Sequence, residues 1–418
     1  LEGLSAIKQD GSKYPLTLSL REVKWREHQG EQNLLASAVL PPGTYRGVSI
    51  TMNKAFLMGE EGEGELLVPE EPVTVEREFS LGRREALALF LSFDPSPSIS
   101  SGFSFLPAFS LETPVSEPVN LTGYATDPEA NLIHVFNKKT HRIIATIATG
   151  RAPKGIVLDQ RRRRAYVALS GADVVEIIDL FANVIVGRIS LNPGDEPLKL
   201  ALTPDGRTLL SANYGSGTVS IIDPASQFEI GRVKVDQGPT DVAIDPLGLR
   251  AYVVNSLSDS LSIIDLSQRR LITTLSVGPS PLKASFNRAG DRLYVTSRHS
   301  PDLFVIDPKS FNVTGRIFVG AGAVSLIVDK LTDLILVGNE LTGEISIVEP
   351  RSFIPVDSFS IGGTPFFMTI DAEERSLFVT VPDRQKVVKI NFVSRDIIAE
   401  IPAIGSTFEV VVMGEIIR

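Results

Sequence analysis

Apolar and polar positions alternate in Leu249–Leu266 (LRAYVVNSLSDSLSIIDL) as two short apolar runs split by a polar turn, the pattern of a β-hairpin. The pattern recurs along most of the chain. The acid or amide that ends the second run falls at Asn137, Asp179, Asp223, Asp265, Asp307, Glu349 and Asn391, at intervals of 42, 44, 42, 42, 42 and 42 residues. A second marker moves in phase: Pro153, Pro197, Pro239, Pro281, Ala323, Pro365 and Thr407. So does the centre of the first run: Tyr124, Tyr166, Leu210, Tyr252, Tyr294, Leu336 and Phe378. A period in the low forties built from strands of about five residues is the spacing of four-stranded propeller blades. Within one unit the strands read as DVAID (Asp241–Asp245), RAYVVN, SLSIID and LITTLSV.

The ends of the array predict how it closes. The segment from Gly123 to Thr149 holds a second, third and fourth strand but no first, whereas GSTFEVVVMGEIIR at the C-terminal end supplies a first strand and stops. Joined, they complete one shared blade, so seven blades are expected, with Val410, Val411 and Val412 pairing near Tyr124. This closure removes exposed sheet edges. The recurring acid has a mechanical role: five of the seven copies are followed three residues later by Thr140, Ser226, Ser310, Ser352 or Ser394, so a short acceptor side chain can bond the turn's own N–H groups.

Residues before about Glu112 lack the period. Alternating segments at Tyr14–Val23, Tyr45–Met52, Pro72–Phe79 and Ala86–Phe93 predict a small antiparallel β-sandwich. The fold class is therefore all-β: a sandwich over residues 1–111, a linker over 112–119 marked by two prolines, and a seven-bladed propeller over 120–418.

The motifs AYVVN, LYVTS and AYVAL, each followed by SIID or an equivalent, resemble the YVTN family of β-propeller repeats, whose relatives include surface-associated, lactonase-like and cytochrome-related propellers. The stretch LPPGTYRGVSITM, an acidic hairpin and LFLSFDPSPSI resemble an uncharacterised, prealbumin-like domain of exported bacterial lipoproteins. The resemblance implies an exported bacterial protein in the periplasm or at the cell surface. It is compatible with attachment through a lipid anchor upstream of Leu1, and the absence of a starting Met is read as processing.

Composition narrows the chemistry. The 418 residues include no Cys, which removes disulfides, thiolate nucleophiles and Cys-ligated metals, and only four His. A net charge of −9 argues against a nucleic-acid partner. The run Arg161–Arg164 reads as a solvated turn, and His134, His141 and His299 read as surface or turn residues. NYGSGTVS (Asn213–Ser220) leads into a strand and is not a phosphate loop. The acidic run GEEGEGELLVPEEP lacks the spacing that wraps calcium and reads as a hairpin tip.

The first strand of each blade lines the channel of a propeller. Two positions after the Pro marker stand Gly155, Lys199, Asp241, Lys283, Ser325, Phe367 and Glu409; two further on stand Val157, Ala201, Ala243, Ser285, Ile327, Thr369 and Val411. Alternating charge at Lys199, Asp241 and Lys283 admits two readings. One is a structural ion cluster in which each Lys has a carboxylate neighbour. The other is a channel-mouth site where Lys199 and Lys283 grip a small anion, with Asp241, Ser325, Phe367 and Glu409 around it. No catalytic residue, metal ligand or cofactor is assigned; a noncovalent d-type haem is disfavoured because no His points into the channel. The sequence thus reads as a monomeric, non-enzymatic binding or scaffold protein for a protein or small anionic ligand. The alternative is a lactonase-like hydrolase with a metal or acid/base site at the channel mouth.

Overall fold

The computed structural model describes residues 1–24, 32–59, 62–83, 85–100, 103–113 and 119–414. The chain divides into two compact units, Leu1–Ser116 with Ile143–Ala148, and Glu117–Arg142 with Thr149–Arg418. Among the described residues no helix is long and apolar enough to cross a membrane. Most of the expected linker, residues 114–118, lies outside the described residues, as do positions 60 and 61 of the acidic run.

In the first unit a five-stranded antiparallel sheet has the order Ala36–Ser37, Lys13–Leu18, Gly3–Lys8, Gly43–Thr51, Val73–Leu81. Leu4, Val48, Ile50 and Val75 on this sheet pack with Leu91, Phe109 and Leu111 from the separate strand pair Phe90–Asp94 and Ala108–Glu112. Two expected strands are shorter than their apolar patterns: the one from Tyr14 stops at Leu18, and the one from Ala86 begins only at Phe90. The acidic segment is half of a hairpin, Ala55–Gly59 with Gly62–Leu66.

The repeat region forms seven four-stranded antiparallel sheets among the described residues. The fourth in chain order is Pro239–Ile244, Arg250–Asn255, Ser260–Asp265 and Arg270–Ser276, close to the strands read from the pattern. Its middle strands are buried throughout because each face has a neighbour. Ala251, Val253 and Ile264 pack with Leu210 and Val219 of the preceding sheet, while Tyr252, Leu261 and Ile263 pack with Phe286 and Val295 of the following one. Alternate residues therefore serve different neighbours, and the strands read as near-continuous apolar runs. Each such side chain contributes about 1.5–3 kcal/mol before entropy. The motif tyrosine adds a tie: Tyr252 Oη donates to the Pro308 carbonyl at 3.1 Å, one sheet further on.

The recurring acid or amide holds its turn in every copy. Asp179 Oδ1 accepts from the N–H groups of Phe181 and Ala182 at 2.9 and 3.0 Å, and Asn391 Oδ1 accepts from Val393 and Ser394. Four residues after each acid or amide comes a non-glycine residue in the left-handed region: His141, Asn183, Gln227, Arg269, Phe311, Phe353 and Arg395, with φ between 54° and 66°. That conformation is uncommon for non-glycine residues, and no turn composition announced it.

The first strands of successive sheets lie side by side, and Val410–Val412 lies between Phe367–Asp371 and Pro153–Asp159, completing a ring. Closure is by antiparallel pairing of Gly123 with Val412, Tyr124 with Val411 and Ala125 with Val410, as the end segments predict. A buried clasp reinforces it. Lys138 Nζ, fully buried, meets Asp371 at 2.9 Å and Glu373 at 2.8 Å and donates to the Met413 carbonyl at 2.8 Å. Burial alone would lower the pKa of Lys138, but the hydrogen bonds and charges of Glu373 and Asp371 raise it above the usual lysine value. Lys389 Nζ donates to the Lys138 carbonyl and to Glu374, both at 2.7 Å.

One reading of the histidines needs correction. His134 is buried at 3% exposure, with Nε2 3.1 Å from Asp127 Oδ2 and 3.3 Å from the Ile404 N–H. Its strand, Leu132–Asn137, is covered on both faces, so a polar side chain there requires a buried partner. His299 is exposed, and His141 occupies a turn.

The structure makes two predictions. The hydrogen bonds of their turns hold Asp223, Asp265, Asp307 and Glu349 below the usual carboxylate range. A depressed folded pKa contributes stability that is present above the unfolded value and lost as pH falls through the folded one. Replacing the three Asp by Asn and Glu349 by Gln keeps an acceptor in each turn, so urea unfolding is expected to show a smaller loss of stability between neutral and acid pH than in the wild type. Separately, Lys138→Met leaves Asp371 buried without its cation and is expected to cost about 3–5 kcal/mol in chemical denaturation.

Candidate functional site

In the second to sixth sheets, position two after the Pro marker lies near the start of the innermost strand, next to a break in register. In the fourth sheet the pairing passes from Pro239↔Asn255 directly to Asp241↔Val254, leaving Thr240 out of the ladder. Such bulges re-aim side chains. Residues three after the marker (Ile156, Leu200, Val242 and Met368) are buried between sheets, and the ring four after it is partly exposed throughout.

Among the described residues Lys199 and Lys283 make no direct ion pair with Asp241 of the sheet between them; Lys199 pairs with Glu409 instead. Asp241, 6% exposed, turns to the adjacent strand and accepts from the Ala284 N–H at 2.9 Å. Ser325, also buried, donates to the Pro365 carbonyl at 2.5 Å. Both staple neighbouring inner strands. Lys199 instead reaches past the second sheet and pairs with Glu409 Oε1 in the first. Gly155 stands between them, where a Cβ would come within 2.8 Å of the Leu198 carbonyl oxygen and of Lys199 Cα. The missing side chain allows the close strand approach that brings Lys199 toward Glu409.

The structure therefore brings Lys199, Lys283, Phe367 and Glu409 together, with the Asp241 carboxylate close enough for its charge to act on Lys283, and engages Ser325 with the Pro365 carbonyl. The Phe367 ring lies 4.7 Å from Lys199 Nζ and 5.1 Å from Lys283 Nζ, a double cation–π contact. Burial lowers the pKa of Lys283, opposed by the charges of Asp241 and Glu409 and reinforced by Lys199. Burial raises that of Glu409, against the attraction of Lys199 and Lys283. Glu409 Oε2 is buried without a hydrogen-bond partner. The arrangement can offer a desolvated ammonium and a carboxyl oxygen to a small polar guest. Among the described residues no group of three or more His, Asp or Glu could hold a metal ion.

Sequence reasoning missed the residues one after the marker. Lys154, Phe366 and Phe408 converge at the rim, with Lys154 Nζ 4.5 Å from the Phe408 ring. The same Pro marker, read one position on, carried that signal.

The model of YNCE-like β-propellers matches residues 125–331. No curated protein matches the chain. Among solved structures, a functionally unknown protein from Desulfotomaculum acetoxidans DSM 771 is similar at TM-score 0.63 and 13% identity, over 70% of this chain and 99% of that one. Kuenenia stuttgartiensis hydrazine synthase is similar at TM-score 0.54 and 15% identity, over 68% and 93%. The dihydro-heme d1 dehydrogenase NirN, in complex with DHE, is similar at TM-score 0.57 and 14% identity, over 73% and 78%. At these identities the likeness concerns the fold: the repeat region is a β-propeller.

Gly155→Ala tests the role of the close approach. The added methyl must displace backbone, so a loss of about 1–3 kcal/mol is expected in thermal or chemical unfolding.

Proposed function

We propose that the seven sheets are the blades of a seven-bladed, YVTN-type propeller, and that this propeller is a non-enzymatic binding module taking a small anion at Lys283. The observation that carries this reading is the state of that lysine. Its ammonium rests on Phe367, and among the described residues it has no ion-pair or hydrogen-bond partner, while Lys199 is already engaged by Glu409. A largely desolvated cation with no direct carboxylate contact gains more from an incoming anion than a paired one does. The repeat motifs support an extracytoplasmic location, and the N-terminal segments support a prealbumin-like sandwich as a second domain.

A second reading rests on Glu409. A buried carboxyl with a raised pKa and one unbonded oxygen is the kind of group that performs acid–base work, which keeps the lactonase-like hydrolase in view.

Calorimetric titration with D-gluconate and with inorganic phosphate distinguishes the two. Saturable binding that weakens by roughly tenfold or more in Lys283→Met, without lactone turnover, supports the binding module. Because the pKa of Lys283 is lowered, that binding should fade at a lower pH than an ordinary lysine would dictate. Hydrolysis of D-glucono-δ-lactone that is abolished in Glu409→Gln overturns it in favour of the hydrolase, and unchanged affinity in Lys283→Met removes Lys283 from the site.

A further inference from the structure

We propose that a separate pocket at the rim of the ring, built on Lys154, Phe366 and Phe408, binds a small aromatic monocarboxylate. The pocket encloses about 320 Å3 and draws its walls from the seventh, first and second sheets, where the ring closes. That volume is at the small end of ligand pockets, which span roughly 300–1,000 Å3.

Its chemistry is uneven in an informative way. Lys154 Nζ sits over the Phe408 ring at 4.5 Å, and among the described residues no carboxylate comes within ion-pair distance of it. Glu129, the acid in the pocket wall, is occupied elsewhere: its carboxylate accepts from the Ser406 N–H at 3.2 Å and the Ser406 hydroxyl at 2.9 Å. Burial lowers the pKa of Lys154, and the more distant charge of Glu129 only partly offsets this. The pocket thus holds a partly desolvated cation that rests on an aromatic face.

The aromatic wall sets the shape of the guest. Phe366 and Phe408 have ring centroids 5.2 Å apart and planes tilted by 59°. Lys154 already covers Phe408, so a flat ring stacking on Phe366 would direct a carboxylate toward the ammonium. A single cation with an acid in the wall suits one negative charge better than two.

The frame is rigid. The Lys154 carbonyl accepts from Thr126 Oγ1 at 2.7 Å, the Phe408 N–H donates to the Thr126 carbonyl at 2.9 Å, and the Phe366 N–H donates to the Thr380 carbonyl at 3.0 Å. The backbone that carries the three walls is therefore held before any ligand arrives, which limits the ordering cost of binding.

The test is ligand-observed NMR and calorimetry on the full chain with benzoate and its neutral isostere benzamide. Saturable benzoate binding is expected, with benzamide weaker by about tenfold or more. Lys154→Met should weaken benzoate similarly while Lys154→Arg retains it, and Lys283→Met should leave it unchanged, which separates this pocket from the central site. No saturable benzoate binding, equal affinity for benzamide, or undiminished binding in Lys154→Met overturns the proposal. Should Lys154→Met fail to fold, the benzoate-to-benzamide ratio in the wild type decides alone.

Discussion

The propeller depends on three residue pairs, Gly123 to Ala125 against Val410 to Val412. Every repeat sheet buries both faces against neighbours, as the fourth does between the Leu210 and Phe286 clusters. An open ring would leave two such faces in water and a strand edge unpaired. The short closing strand is strengthened by a buried clasp. Lys138 joins Asp371 and Glu373 of the seventh sheet to the Met413 carbonyl, so the chain's two most distant repeat segments meet at one ammonium.

The same closure shapes the centre. With the first strands held side by side, side chains that point inward meet others from across the ring. Gly155 removes one obstruction, and Lys199 reaches Glu409 two sheets away. Asp241 and Ser325 are consumed in stapling adjacent strands. What remains is Lys283 against Phe367 and one unbonded oxygen of Glu409, a polar cluster with spare hydrogen-bonding capacity.

Local features were legible because they repeat. The strand Arg250–Asn255, the turn acids and the pairing of the last valines all follow from spacing and alternation, which encode contacts within a sheet. Contacts across the ring have no period. The alternation of charge offers Lys199 a neighbour in Asp241 as one of two readings, yet its partner is Glu409, because the deciding residue is an absent side chain at Gly155. His134 read as a surface residue since nothing in its own segment shows that both faces of its strand are covered. The left-handed residues at Arg269 or Phe311 escaped notice for the opposite reason: the hydrogen-bonded turn around Asp265 or Asp307 sets a backbone conformation that the side chains themselves do not favour.

The Met413 N–H donates to the Thr122 carbonyl at 2.9 Å, so the strand that opens the ring and the strand that ends it touch. A polypeptide joined between these two strands and cut instead in a surface turn elsewhere in the repeat region would be circularly permuted yet make the same inter-sheet contacts.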